Sequence, residues 1–260
     1  SNTIGYEETD YEFVSIQKLL SIAESISNNH HCKIIQAPCN LIENNVAVIK
    51  NNDGKTAIEF AESKNLAFIT NRTFNAIVNN NLFRLVDHDI EEGISWLEVD
   101  DNAQNLLQLE MQIEQLEIDH LALSPEDEII IRDAFKIGSE LQSTWQDFKS
   151  IEAWKESIRL YIYPRIDYAV SKLLDSDQLT KEHESWIFDY VAEMNTFLKS
   201  ISLYLKVDAS NRIDNLRAKI SHKKEEIVVG KSFSQTALSY LRGISGVSSS
   251  LVGLRKTDYV

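Results

Sequence analysis

His30, His31, Cys32 and Cys39 are the residues whose types most directly invite chemistry, because imidazole and thiolate are the usual protein ligands of zinc. Their spacing argues against that use. Two adjacent histidines followed by two separated cysteines fit no common zinc pattern, and no second ligand pair occurs. No metal site is expected. With no further cysteines to build a framework, the pair points to a reducing compartment without structural disulfides.

Charge narrows the partners. The chain has 40 acidic and 26 basic residues and a net charge of -14, whereas a protein that tracks phosphate backbones needs a basic face. Nucleic acid is therefore not an expected partner. No apolar run is long enough to span a bilayer, and residues 1–30 lack the basic and apolar regions of a signal peptide, so no membrane association and a cytoplasmic location are expected. Three prolines and eight glycines are few for an all-β protein and suit long helices joined by short connections.

The elements that must position any site come next. Ile16, Leu19, Leu20, Ala23 and Ile26 recur at helical spacing in residues 11–27, with Asp10 as the expected N-cap. The short apolar run Cys32–Ala37, broken by Pro38, reads as a buried strand. The turn Asn52-Asp53-Gly54 then opens a helix containing Glu59, Phe60 and Ala61, and Leu66–Thr70 comes after it as a second strand. Asp53-Gly54-Lys55-Thr56-Ala57 superficially resembles one ankyrin repeat, but no second copy occurs, and a turn with a helix start explains it. Residues 234–242 carry Ala237, Leu238 and Leu241 on a short helix, Gly243–Gly246 turns the chain, and Val247–Val252 is a strand that stops at Gly253. Helix and strand alternate without hairpins, so parallel strands with crossover connections are expected.

Between these pieces, residues 91–230 change to long helices. Leu106, Leu109, Ile113 and Leu116 form one stripe, and Ser124-Pro125-Glu126-Asp127 has the N-cap serine, the first-position proline and the acidic first turn of a new helix. Ile131, Phe135, Leu141 or Trp145, and Phe148 continue its apolar face; Trp154, Ile158 and Tyr161 precede Pro164, which should kink or end the next helix. Trp186, Tyr190, Phe197, Ile201 and Leu205 make the clearest stripe, read as bundle core rather than as a cofactor box, and Ile213, Leu216 and Ile220 form a last one. The segment reads as an inserted helical bundle, with 1–90 and 231–260 as the flanking α/β parts.

Four runs resemble the aldo-keto reductase family. Gln36-Ala37-Pro38-Cys39-Asn40-Leu41-Ile42-Glu43 resembles the segment after the sixth strand of those enzymes, and Asn65–Ala76 resembles their seventh strand and its loop. Ser234-Gln235-Thr236-Ala237-Leu238 resembles the helix before the eighth strand, and Gly246–Val260 resembles that strand and the start of the helix after it; Ser1-Asn2 matches a dipeptide at the end of the fifth. The resemblance implies an α/β fold, a partial (β/α)8 TIM barrel contributing the sixth to eighth strands, with the helical bundle inserted after the seventh. It implies a fragment of an NAD(P)-dependent reductase that turns a carbonyl into an alcohol and contributes the cofactor-binding half.

In that family, residues at strand ends hold the cofactor, so the resemblance makes Ser1, Asn2 and Gln36 partners of the nicotinamide carboxamide. The loop Asn71-Arg72-Thr73-Phe74-Asn75 stands where many members have an aromatic residue, a small polar residue, proline and leucine; Asn71, Arg72 and Phe74 are its cofactor-binding candidates, with Arg72 directed to the pyrophosphate. Gly253 permits close backbone approach, and the cations Arg255 and Lys256 precede a helix start suited to phosphate, which favours NADP over NAD. The family's tyrosine, lysine, aspartate and histidine lie on earlier strands, and none of Tyr6, Tyr11, Lys18 or His31 matches them, so no catalytic residue is assigned. A carbonyl substrate and a preceding segment carrying the tetrad are the implied partners. The helical insertion is expected to act as a lid or partner surface; the competing reading is a non-catalytic interaction module built on the bundle.

Overall fold

The computed structural model describes residues 2–90, 92–116, 118–223, 228 and 230–253. The chain divides into two compact units, one made of Ser1–Asp87 with Ile213–Val260 and the other of His88–Arg212.

The first unit is built on three parallel strands, β1 (Ile34–Pro38), β2 (Ala67–Asn71) and β5 (Val247–Ser250), in the order β1-β2-β5. Their parallel pairing agrees with the alternation of helix and strand. The barrel does not form: among the described residues there are five strands, three in this open sheet and β3 (Asn75–Val78) with β4 (Asn81–Arg84) in an antiparallel hairpin. A barrel requires every strand to be paired on both sides, whereas β1 and β5 are each paired only with β2. The expectation of a partial (β/α)8 barrel is thereby corrected to a small mixed α/β unit.

One face of the sheet is covered. Ile35 and Ala37 of β1 and Phe68 of β2 pack with Ile16 and Leu20 of α1 (Ile16–Ile26), with Ala57, Ile58, Phe60 and Ala61 of α3 (Ala57–Ser63) and with Leu241 of α10 (Phe233–Arg242). The N-cap of α1 is Ser15, whose side chain accepts from the Lys18 N–H, while Asp10 caps a preceding turn by accepting from Glu12. After the single helical turn α2 (Asn45–Val48), helix α3 starts at a reciprocal capping box between Thr56 and Glu59. Gly246 enters β5 with φ +84°, and a Cβ there would come within 2.6 Å of Ile58 Cγ2, so glycine alone fits that turn.

Pro38 ends β1 without breaking it. The N–H of Cys39 and the carbonyl of Lys33 bond to β2, so the alternating backbone groups at Pro38 point to the unpaired edge, where the missing N–H costs no ladder bond. The hairpin turns on Asn79 and Asn80, with φ of +48° and +62°, the two left-handed residues that a tight two-residue turn needs. It packs through Ala76 and Leu85 on Ile213 and Phe233.

The second unit is helical: α4 (Trp96–Gln112), α5 (Pro125–Ala134), α6 (Ile137–Thr144), α7 (Ile151–Ser157), α8 (Tyr163–Leu174) and the part of α9 (Lys181–Ser221) up to Arg212. Ser124 caps α5 with Pro125 in its first turn, as its sequence pattern requires. Phe135, Trp186 and Tyr190 form an aromatic cluster with centroids 4.7–5.2 Å apart. Pro164 does not stop its helix. A π-helical turn at Ile158–Ile162 joins α7 to α8, and this widened turn absorbs the clash that the proline ring would make with the preceding turn.

Candidate functional site

The carboxyl ends of the three parallel strands are tied into one edge by residues distant in sequence. Cys39 N–H donates to the Asn71 carbonyl at 3.2 Å and Leu251 N–H to the Thr70 carbonyl at 2.8 Å. Thr70 Oγ1 donates to Ser250 Oγ at 2.8 Å, and Thr73 Oγ1 to the Leu251 carbonyl at 2.8 Å.

Asn40, fully buried, is the knot. Its Nδ2 donates to Glu43 Oε2 at 3.0 Å and to the Arg72 carbonyl at 3.1 Å, while its Oδ1 accepts from the N–H groups of Ile42 and Glu43. All four hydrogen-bonding positions of the amide are used, which fixes its orientation. Glu43 spreads its carboxylate over three donors: Arg72 Nη1 at 2.9 Å, Asn40 Nδ2, and the Ile77 N–H at 3.0 Å. Beside it, burial and then the Glu43 charge push the Cys39 thiol up to about 12.

Arg72 has φ +57°, a left-handed conformation held by its two neighbours: its carbonyl accepts from Asn40 and its guanidinium pairs with Glu43. A cavity of about 280 Å³ opens at the end of β1, lined among others by Asn2, Tyr6, Pro38, Glu43 and Ile77.

The residues singled out by resemblance are scattered over this edge. Asn2 lines the cavity. Gln36 is exposed, sits in the middle of β1 opposite Ile69, and so lies two residues before the strand end. Asn71 ends β2 opposite Pro38; its Oδ1 is buried and has no hydrogen-bond partner. The even residues of β1 and odd residues of β2 share the face turned away from the helices, so Gln36 and Asn71 are on one side. Phe74 is half-buried and its carbonyl accepts from Leu85. Gly253 is exposed, and a Cβ built on it would meet nothing within 4 Å. Ser1, Arg255 and Lys256 lie outside the described residues. Among the described residues, no group of three metal-ligating side chains occurs, and no helix is long and apolar enough to cross a membrane.

These residues fit the amide of a nicotinamide better than they fit a pyrophosphate. An orphaned buried acceptor suits a carboxamide N–H donor. Arg72, the one described cation proposed for phosphate, is half-exposed but already beside the Glu43 carboxylate.

A second cluster, in the helical unit, escaped the sequence reading. Tyr168 OH donates to Asp127 Oδ1 at 2.5 Å, Lys172 Nζ lies 3.2 Å from Asp127 Oδ2, and Ser124 Oγ donates to the same carboxylate. Tyrosine, lysine and aspartate are acid–base types, and the four-residue spacing of Tyr168 and Lys172 on one helix was the available signal. The arrangement opposes acid catalysis: the hydrogen bond to Asp127 raises the Tyr168 phenol above its ordinary range. The hydrogen bonds from Tyr168 and then Ser124 hold the Asp127 carboxyl below the usual carboxylate range.

Deeper in the same unit, Glu110 caps α6 by accepting from the N–H groups of Gly138 at 2.6 Å and Ser139 at 3.0 Å, and from the hydroxyls of Ser139 and Tyr190. Burial first and the Glu110 charge second push the Tyr190 phenol up. This is a structural tie with every lone pair engaged. Compared with protein-family models, with curated proteins and with solved structures, the chain matches none.

Proposed function

We propose that the first unit is the cofactor-binding half of an NAD(P)-dependent carbonyl reductase of the aldo-keto reductase type, holding NADP at the carboxyl edge of β1, β2 and β5. Ligands of parallel α/β sheets sit at that edge because the backbone there leaves the sheet and exposes unpaired polar groups. The observation that carries the reading is Asn71 Oδ1, buried without a partner at the end of the central strand. Leaving such an acceptor unpaired costs about 1–3 kcal/mol, which a bound carboxamide N–H would recover.

Gln36 lies on the same face and would orient the other side of the amide. Asn2 lines the adjacent cavity, Arg72 would meet a phosphate by exchanging part of its contact with Glu43, and the open space at Gly253 admits a close backbone approach. Arg255 and Lys256 would favour the extra phosphate of NADP. When bound, the cofactor supplies the hydride for the carbonyl carbon; the residues named here bind and orient, and the proton for the oxygen is assigned to none of them.

Calorimetric titration of NADPH into the full chain tests this. Binding on the order of micromolar is expected, with Asn71→Leu weakening it about tenfold by removing the acceptor while keeping the volume, and NADH binding less tightly than NADPH. No heat of binding to a chain whose circular dichroism shows it folded would remove the proposal.

A further inference from the structure

The second unit contains a separate cavity of about 560 Å³, within the range that holds a small organic molecule. Its walls are aromatic. Trp145 is buried and meets Tyr204 edge-to-face at 5.1 Å; Phe148 meets Trp154 in the same way at 4.9 Å. Trp96, in the first turn of α4, completes the lining but remains 53% exposed, a large apolar surface that the fold itself leaves in water.

The rim at one end is polar and cationic. Arg212 Nη2 lies 2.6 Å from Asp208 Oδ2, Arg212 Nη1 donates to the Lys149 carbonyl at 3.4 Å, and Lys149 Nζ donates to the Gln146 carbonyl at 3.1 Å. These contacts hold two cations against one carboxylate at the mouth. The surroundings make that balance unusual: residues 88–212 hold 26 of the chain's 40 acidic residues but 11 of its 26 basic ones. A local excess of positive charge inside a strongly acidic unit is where an anion is drawn.

We propose that this cavity binds a small planar aromatic carboxylate or sulfonate, its ring among Trp96, Trp145, Phe148 and Tyr204 and its anionic group at Lys149 and Arg212. The rings offer edge-to-face and stacked contacts to a planar guest, and the guanidinium and ammonium supply charge-assisted hydrogen bonds to its acid group. An aromatic cation would gain the ring faces and Asp208 but would meet both cations. The proposal is independent of the dinucleotide reading, since every residue in it belongs to the other unit.

The test is calorimetric titration of the full chain with naphthalenesulfonate and, in parallel, with benzyltrimethylammonium. One-to-one binding of the sulfonate is expected, with Lys149→Gln and Arg212→Gln each weakening it about tenfold and Trp96→Ala weakening it through lost ring contact. Lys155→Gln, a charge change of the same kind away from the cavity lining, should leave it unchanged. Lys149→Gln breaks no ion pair among the described residues, so it remains informative if Arg212→Gln disturbs the fold. No sulfonate binding, tighter binding of the ammonium, several equivalent sites, or equal affinity in Lys149→Gln would each overturn the proposal.

Discussion

Asn40 Nδ2 donates to the carbonyl of Arg72 across 32 residues of sequence, so one buried amide joins the end of β1 to the loop that leaves β2. The same amide holds Glu43, which in turn holds the Arg72 side chain, and the proposed cofactor edge depends on that knot.

Asn40→Ala should therefore destabilise the first unit by about 2–3 kcal/mol, because it strands the Ile42 and Glu43 N–H groups and removes one of the two donors to the Arg72 carbonyl, leaving it the Asn75 N–H. Urea unfolding followed by circular dichroism measures it. A change within experimental error would mean that the edge is not held as described.

Cys39 should resist thiol reagents that modify Cys32. With its pKa pushed up to about 12 and its side chain buried, Cys39 stays protonated and covered at pH 8, whereas Cys32 is half-buried. Alkylation of the native chain followed by peptide mass analysis should label Cys32 first and Cys39 only after unfolding. The linked effect on stability has a definite sign. The folded state keeps this thiol neutral, so its contribution is complete below the ordinary value of 9.0 and is lost as pH rises from there towards about 12. Subtracting the pH profile of Cys39→Ala isolates it.

Glu110→Ala should be among the most damaging substitutions in the helical unit, at about 3 kcal/mol or more, since it leaves the buried Gly138 N–H and Tyr190 hydroxyl, and the part-buried Ser139 N–H, without the acceptor they share. Gly138→Ala should damage the same place by a different route: its Cβ would come within 2.6 Å of both Glu110 Oε1 and Leu106 Cδ2. Thermal unfolding of the two variants, separately and together, should give less than the sum of their effects, as expected for neighbours in one network.

Asp127 supplies a pH test. Its carboxyl is held low first by the Tyr168 hydroxyl, so the folded state gains stability above the unfolded carboxylate value and loses it as pH falls through the lower folded value. Tyr168→Phe should move the Asp127 titration, read by carboxyl NMR shifts, upward towards the ordinary range. An unmoved titration would show that the hydrogen bond is not formed in solution.

Much of the local structure was legible because it rests on local chemistry. Ser124-Pro125 starts α5 and the stripe from Trp186 to Leu205 is buried because capping and helical periodicity are written in neighbouring residues. The parallel pairing of β1, β2 and β5 was likewise readable from alternation. Barrel closure was not, since it depends on strands pairing beyond β1 and β5, and the resemblance suggested neighbours that the described sheet lacks. The hairpin at Asn79-Asn80 was missed because asparagine is a weaker turn signal than glycine, although both residues tolerate the left-handed region. Pro164, expected to kink or end its helix, does not end it, because a proline forbids a regular α-helical turn but not a π-turn before it.

At the candidate site, residue types were legible and their relations were not. Asn71 and Arg72 could be named from the loop, but nothing in the spacing shows that Glu43 neutralises Arg72 or that Asn71 Oδ1 is left without a partner. Asp127, Tyr168 and Lys172 come together only through the packing of α5 on α8, where they form a tie that sequence separation conceals.

The most direct measurement is a set of amide NMR spectra of the isotopically labelled full chain with and without NADPH. A dinucleotide held at the strand ends predicts saturable shifts concentrated at Asn2, Gln36, Asn71, Arg72 and Gly253, including the side-chain amide of Asn71, with the helical residues 96–212 little changed. Shifts confined to the helical unit, or spectra unaltered by the nucleotide, would contradict it.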